Sequence, residues 1–551
     1  MMAQMTGGEA LAAALVAHEV AVVFGLPGVQ LDWAFDALYA VQDRIRVIHT
    51  RHEQATSYMA DGYARTTGRP GVCLVVPGPG LLNAASGLAT AYACSSPVLC
   101  LAGQIASDLI DRGRGVLHEV PRQLELAGSF TKWAARALAP GEVPGLVATA
   151  FEQMASGRPR PVLIELPPDV LAATEDVAVP DAVRRSSQPP GDPDLLEAAA
   201  KKLGRAKSPL IFAGGGIHAA EAWEELRELA EMLQAPVVMT VNGKGAISAR
   251  HYLAQNMIAA RELMPAADVI LAVGTRFALP QVTEWGPNGN QTVIHLDAEP
   301  SVNGRRGRRL GIVADARAGL AELVDRVPRH NRKRPSREDE LTAVKERIDD
   351  LLFELQPQAS YALAIREEIP DDAIVVNEST QVGYWNWVGF PVYEPRTFIA
   401  PGYQGTLGYG FATALGAQVG NPDRRVISIN GDGGFMFNVQ ELSTMALHNI
   451  PVITIVFNDN AYGNVRAFQK QFFHGRYIAT ELRNPDFVKL AELFGVEGRR
   501  AEGPEGLRVA LREALKHDRP VLIEVPVGEM PSPFPLLIRG LKAAPWSWPC
   551  E

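Results

Sequence analysis

Short aliphatic runs, apolar at consecutive positions, punctuate the whole chain and alternate with longer stretches of helical character. The first third carries VCLVV, PVLCLAG and PVLIEL, the second PLIFAG, PVVMT, DVILAVG and TVIHLD, and the last AIVVN, RVISIN, PVITIVFN and PVLIEV. A strand that is apolar on both faces must be covered on both, and helices between successive strands supply the cover. The pattern therefore predicts an α/β fold of doubly wound, parallel sheets. Two polar, proline-bearing stretches without periodicity, PDAVRRSSQPPGDPD from Pro180 and VPRHNRKRPSREDE from Val327, read as linkers. They divide the chain into an N-terminal domain over residues 1–180, a middle domain over 190–328 and a C-terminal domain over 345–540. The first and last domains each end on nearly the same strand, Pro161-Val-Leu-Ile-Glu-Leu and Pro520-Val-Leu-Ile-Glu-Val, which hints that they are related and flank a different middle one. Thr6 and Glu9 have the spacing of a capping box that opens a helix.

Composition agrees with this division. A chain of 551 residues is too long for one core at about 100–200 residues per domain. With 47% hydrophobic and 21% charged residues it is an ordinary globular protein. Its net charge of -9 provides no global positive field, so neither nucleic acid nor an anionic membrane is an expected partner. Cys73, Cys94, Cys100 and Cys550 form no C-x-x-C pair and are too few to staple this length, which points to a reducing, cytoplasmic setting. The N-terminal apolar stretch lacks a preceding Lys or Arg, unlike a signal peptide, and no apolar run reaches membrane-spanning length.

The most informative segment reads strand, glycine-rich turn, helix, strand: RVISIN, then Gly431-Asp432-Gly433-Gly434, then PVITIVFN and Asp459-Asn460-Ala461. Glycines after a strand let backbone N–H groups approach a phosphate, and the following helix start adds a positive dipole. A diphosphate also needs a divalent ion, and hard cations such as Mg2+ take oxygen ligands. Asp432 closes one strand and Asp459, 27 positions on, closes the next. Each half alone reads as an ordinary βα turn or a strand-ending Asx cluster; together they point to a diphosphate and metal site.

This pairing is similar to the signature of thiamine-diphosphate enzymes, and over nearly its whole length the chain resembles their acetolactate synthase-like branch. The resemblance implies three doubly wound domains, pyrimidine-binding, middle and diphosphate-binding. It implies Mg2+ held by Asp432, by position 459 and by the carbonyl of Ala461, with Gly431, Gly433 and Gly434 lining the diphosphate. Position 459 departs from the family pattern, being Asp where the family has Asn, so an additional charge sits beside the metal.

In the N-terminal domain, Arg51-His52-Glu53 followed by Asp61-Gly62-Tyr63-Ala64-Arg65 carries a carboxylate at a helix start. Taken alone, Glu53 reads as a first-turn acid favouring the helix dipole. The resemblance gives it a second role, hydrogen bonding to N1′ of the aminopyrimidine and sharing a proton with it, which activates the cofactor's own carbanion chemistry. It likewise implies that Leu407, in Pro401-Gly-Tyr-Gln-Gly405-Thr-Leu407-Gly, wedges between the cofactor rings, that the carbonyl of Gly405 accepts from the 4′-amino group, and that Thr380 and Gln381 approach the diphosphate. Gly28, Gln104 and His118 match the positions that line the reacting carbonyl. His118 stands where relatives carry Gln, and a His there has the near-neutral pKa of an acid or base, though a lone loop histidine also reads as a plain polar contact.

The middle domain has a glycine-rich turn, Gly214-Gly215-Gly216, without G-x-G-x-x-G. Relatives that bind FAD carry glycines in a segment that is shorter here and has no glycine between Gly245 and Gly274, which disfavours FAD. The basic run from Asn303 to Arg309 reads as a solvated loop, with a nucleotide phosphate as the other reading. The implied activity is a cytoplasmic carboligase dependent on thiamine diphosphate and Mg2+. It decarboxylates a 2-oxo acid, pyruvate in the leading case, and transfers the acyl unit to a second carbonyl, in a homodimer or homotetramer whose sites lie between subunits. The alternatives are a lyase or decarboxylase acting on 2-hydroxy ketones, 2-hydroxyacyl-CoA or other 2-oxo acids, a non-catalytic relative, and a nicotinamide oxidoreductase.

Overall fold

The computed structural model describes residues 2–182, 189–278, 283 and 286–538. Residues 183–188 of the first linker, Met1, Cys550 and the last two residues of the expected C-terminal domain lie outside them, as do the side chains of Arg305 and Arg306.

Three parallel sheets carry the chain, as the aliphatic runs predict. The N-terminal sheet is ordered Arg46–His49, Val22–Gly25, Gly71–Val75, Val98–Gly103, Val162–Leu166 and Trp133–Arg136. The C-terminal sheet is ordered Phe398–Ile399, Ile374–Asn377, Val426–Gly431, Ile453–Asn458, Val521–Pro526 and Glu497–Arg500. Numbered within each domain, both orders are 2-1-3-4-6-5, and the near-twin PVLIE strands occupy the same place in each. The middle sheet differs: Ala254–Gln255, Val237–Met239, Pro209–Ala213, Val269–Val273, Thr292–Asp297 and Arg309–Val313 run in parallel, and Gly304–Arg306 adds an antiparallel edge strand. Periodicity did not reveal that edge strand. Nor did it reveal the antiparallel pairing of Met2–Thr6 with Thr174–Ala178, which brings the two ends of the N-terminal domain together. The Thr6 and Glu9 capping box is formed: Thr6 Oγ1 accepts from Glu9 N at 3.1 Å and Glu9 returns the bond at 2.7 Å.

Ligands of open α/β sheets bind beyond the carboxyl ends of the strands, where the strand order reverses direction. Each sheet here has one such point, and each is lined by glycine: Gly28 and Gly78 in the N-terminal domain, Gly214 to Gly216 and Gly274 in the middle, and Gly431 to Gly434 in the C-terminal domain. The two outer domains meet along a close helix crossing. Glu53–Thr67 packs on Tyr409–Gly420, and a Cβ on Gly62 would overlap Thr413 backbone just as one on Gly416 would overlap Met59. Arg65 spans the crossing, donating to the Ala400 carbonyl at 2.8 Å and to Tyr409 Oη at 2.7 Å, with buried Asp61 as its ionic partner at 3.6 Å. Among the described residues no helix is long and apolar enough to cross a membrane.

Candidate active site

The glycine turn of the C-terminal domain is built by register. Gly431 pairs with Phe457 in adjacent parallel strands, so the residues just beyond, Asp432 and Asn458 to Asp459, emerge side by side. Asp432 is 2% exposed; its Oδ1 accepts from Gly433 N at 2.9 Å and its Oδ2 from Asn484 Nδ2 at 2.6 Å. Asn484 also donates to Asn458 Oδ1 at 2.9 Å, tying the two strand ends together. Asp459 Oδ1 accepts from Ala461 N at 3.1 Å, and the backbone from Asn460 to Tyr462 is fixed by bonds to residues 480 and 482. Burial and then the neighbouring charge of Asp432 push Asp459 up to about 7, and burial raises Asp432 as well. Two adjacent carboxylates, one raised by the charge of the other, among amide and carbonyl oxygens, form a donor set suited to a hard divalent cation.

Above this pair two glycines of the turn are crowded by neighbouring side chains. A Cβ on Gly433 would lie 2.8 Å from the Tyr462 ring, and one on Gly434 would overlap the carboxyl group of Glu378. Across the switch point, Thr380 is the N-cap of the helix Gln381–Gly389 and stands 3.4 Å from the Cβ position of Gly431, while the buried Gln381 Oε1 has no protein partner. Gly405 and Gly408 both take positive φ, 56° and 85°, and bracket half-buried Leu407. Thr406 is held from the N-terminal domain by Tyr58 Oη at 2.8 Å and Thr90 Oγ1 at 3.2 Å.

The N-terminal residues gather at their own switch point. Glu53 is the first residue of its helix, capped by His52, and its Oε2 accepts from Asn83 Nδ2 at 3.0 Å. Its place at the helix start is that of a first-turn acid favouring the helix dipole. Glu53 Oε1 lies 3.6 Å from the Cβ position of Gly80, and Val76 fills the space between Gly80 and Gly28. His118, at φ 67°, approaches the same rim: its Nδ1 is 3.2 Å from Gln30 Oε1, and its carbonyl abuts Gly78. Gln104 is buried and turned inward, donating to Glu165 at 3.2 Å in a network with Gln123, whose Oε1 accepts from Gly78 N at 2.7 Å. It braces the floor under the rim. Asn83, Gln30, Gln123, Asn484 and Glu378 were not among the sequence candidates; of these, Gln30 lies two residues after Gly28 and Glu378 two before Thr380.

The middle-domain switch point opens into a cavity of about 410 Å3 bounded by Gly214 to Gly216, Gly274 and Arg158. Arg158 is already paired with Asp297 at 2.9 Å.

Comparison with known proteins covers all three domains. The chain matches the family models for the N-terminal TPP binding domain of thiamine pyrophosphate enzymes over residues 5–126, their central domain over 196–323 and their C-terminal TPP binding domain over 378–525. It is 35% identical to a probable acetolactate synthase large subunit of Methanococcus aeolicus, over 94% of this chain and 92% of that one. It is 33% identical to the acetolactate synthase isozyme 3 large subunit of Escherichia coli, over 98% of each. It is also 34% identical to a probable 2-ketoarginine decarboxylase of Pseudomonas aeruginosa, over 95% of this chain and 94% of that one. With both outer sheets ending in glycine-lined switch points and relatives matched along the full length, the chain belongs to the thiamine-diphosphate-dependent enzymes and is an acetolactate synthase-like carboligase.

Proposed function

We propose that this enzyme uses Mg2+ with thiamine diphosphate to decarboxylate pyruvate and join the resulting two-carbon acyl unit to the carbonyl of a second 2-oxo acid. The observation that carries the reading is the pair of buried Asp432 and half-buried Asp459, which close neighbouring strands beyond a turn whose Gly433 and Gly434 are crowded by Tyr462 and Glu378. Asp432, Asp459 and the carbonyl of Ala461 would hold the metal, and the 431–434 turn with Thr380 and Gln381 would hold the diphosphate. Bound there, the cofactor supplies the thiazolium carbon that stabilises a carbanion. Glu53, its Oε2 fixed by Asn83, would hold a proton at Oε1 for the aminopyrimidine N1′. Leu407 would support the cofactor rings and the Gly405 carbonyl would accept from the 4′-amino group. Gly28 and His118 line the space for the reacting carbonyl, with Gln30 orienting His118 and Gln104 bracing the wall behind.

In this reading the domains run over residues 1–180, 190–328 and 345–540, and the protein is a cytoplasmic homodimer or homotetramer, in keeping with free Cys73, Cys94 and Cys100. FAD is disfavoured, because the middle domain lacks glycine between Gly245 and Gly274; of the arginines lining its cavity, Arg158 is paired with Asp297. A proton NMR time course with thiamine diphosphate, Mg2+ and pyruvate alone tests the activity. Acetolactate is the expected product. Unchanged pyruvate with the cofactor bound overturns the reading in favour of a decarboxylase of a larger 2-oxo acid, the second reading, which the 2-ketoarginine decarboxylase relative and the histidine at position 118 favour.

A further inference from the structure

Glu378 follows the strand Ile374–Asn377 and extends its ladder by one bond, Glu378 N to the Ile429 carbonyl at 2.9 Å. Its backbone is fixed further by Thr380 N, which donates to its carbonyl at 3.0 Å. The side chain enters the gap between the two loops of the C-terminal site and is 1% exposed. Oε1 accepts from Gly408 N at 2.7 Å, and the N–H groups of Tyr409, Gly410 and Gly431 also face the carboxyl group. A Cβ on Gly410 would come within 2.9 Å of Glu378 Cβ, and one on Gly434 would overlap the carboxyl oxygens, so both loops give up side-chain volume to admit this one group. Oε2 is buried with no protein partner. The residue that Glu378 grips through its N–H is gripped through its carbonyl too: Asn438 Nδ2 donates to the Gly408 carbonyl at 2.6 Å, and Asn438 continues the chain beyond the 431–434 turn.

A carboxyl group buried without a cation is costly, and a glycine that has lost its freedom on two sides is costly as well. Their coincidence at the peptide following Leu407 calls for a function. We propose that Glu378 is a positioning residue that locks the Leu407-bearing 405–408 loop to the 431–434 turn and so sets the wedge against the diphosphate cradle. The assignment rests on the thiamine-diphosphate reading of this site. Among the described residues no cation faces Glu378, and although the backbone N–H groups around it favour the carboxylate, burial outweighs them and pushes the carboxyl up to about 8, so the neutral acid predominates at neutral pH. Glutamine, with the same shape and an acceptor at Oε1, should replace it; alanine should not.

The test measures thiamine-diphosphate affinity by calorimetry and the near-ultraviolet circular dichroism of the bound cofactor, which reports the relative posture of its rings, in full-length wild type, Glu378→Gln, Glu378→Ala and Glu378→Asp with Mg2+ present. Glu378→Gln is expected to bind within about threefold of wild type with an unchanged spectrum, whereas Glu378→Ala and Glu378→Asp weaken binding by about tenfold or more and alter the spectrum, as loss of one buried acceptor implies. Wild-type affinity and spectrum in the Ala or Asp variant overturn the proposal, and so does a Gln variant as impaired as Ala. Should Glu378→Ala not fold, Glu378→Asp, which withdraws the carboxyl by one methylene, decides by the same criteria. Failure of the wild type to bind the cofactor overturns the underlying site reading instead, which separates the two.

Discussion

Single residues in this protein act through the partner that fixes them. Glu53 is presented at a helix start with Asn83 occupying one oxygen, so Glu53→Gln retains the helix and its cap while losing the exchangeable proton. The expected result is a folded protein that binds thiamine diphosphate but exchanges the C2 proton of the bound cofactor about a hundredfold more slowly, read by deuterium exchange. Unchanged exchange removes Glu53 from the activation step. Glu378 gives a pH prediction with a definite sign. Its folded-state value, raised to about 8, lies above the ordinary 4.5, so the unfolded chain releases this proton first and wild-type stability falls as pH rises through that window. Glu378→Gln has no proton to lose. Its unfolding free energy from urea titration should match wild type near the ordinary carboxyl value and exceed it above about 8, by on the order of 5 kcal/mol in this fully buried setting; parallel curves at both ends contradict the burial argument.

Elements set where those residues meet. The helix Glu53–Thr67 presents Glu53 at its start and Gly62 at the crossing, and Tyr409–Gly420 begins immediately after the Leu407 loop and presents Gly416. Close approach at these two glycines therefore fixes the height of the loop against the N-terminal domain, where Tyr58 and Thr90 hold Thr406. A methyl group at Gly416 would overlap the Met59 backbone, which cannot swing aside as a flexible side chain would. Gly416→Ala should cost about 2 kcal/mol and lower the melting temperature measurably, with weaker cofactor binding as the loop shifts. An unchanged melt would mean that the helices separate freely. Much at this scale was legible in sequence. The turn after RVISIN was readable because strand, glycines and helix are contiguous, and the twin PVLIE strands did mark equivalent positions in sheets of the same order. The antiparallel edge Gly304–Arg306 and the Met2–Thr6 pairing were not, because a short strand with one polar face has no period that distinguishes it from a loop.

At the scale of the whole molecule, Glu53 and Asp432 lie on different domains, and the proposed sites combine the N-terminal domain of one subunit with the C-terminal domain of another. Co-expression of Glu53→Gln and Asp432→Ala chains tests this. Each variant alone should be inactive. Random pairing makes half the dimers mixed, and a mixed dimer has one site intact in both residues, so about a quarter of wild-type activity should return. Sites completed within single chains would return none.

The sequence by itself determined three parallel-sheet domains, the glycine turn with its paired acids and the family to which these belong, because each is written in neighbouring residues whose local geometry is nearly forced. Only the tertiary structure decided which distant groups serve those motifs. Asn83 on Glu53, Asn484 across Asp432 and Asn458, Gln30 on His118, and Glu378 between two loops are joined by strand order and helix crossing, not by spacing along the chain. Glu378 stood in the open beside Thr380 and Gln381, yet a glutamate after a strand reads as a solvated turn residue until the glycines of two remote loops are seen to close over it. Burial is a property of what the rest of the chain does, and this is why the acid that joins the site together could not be read where it is written.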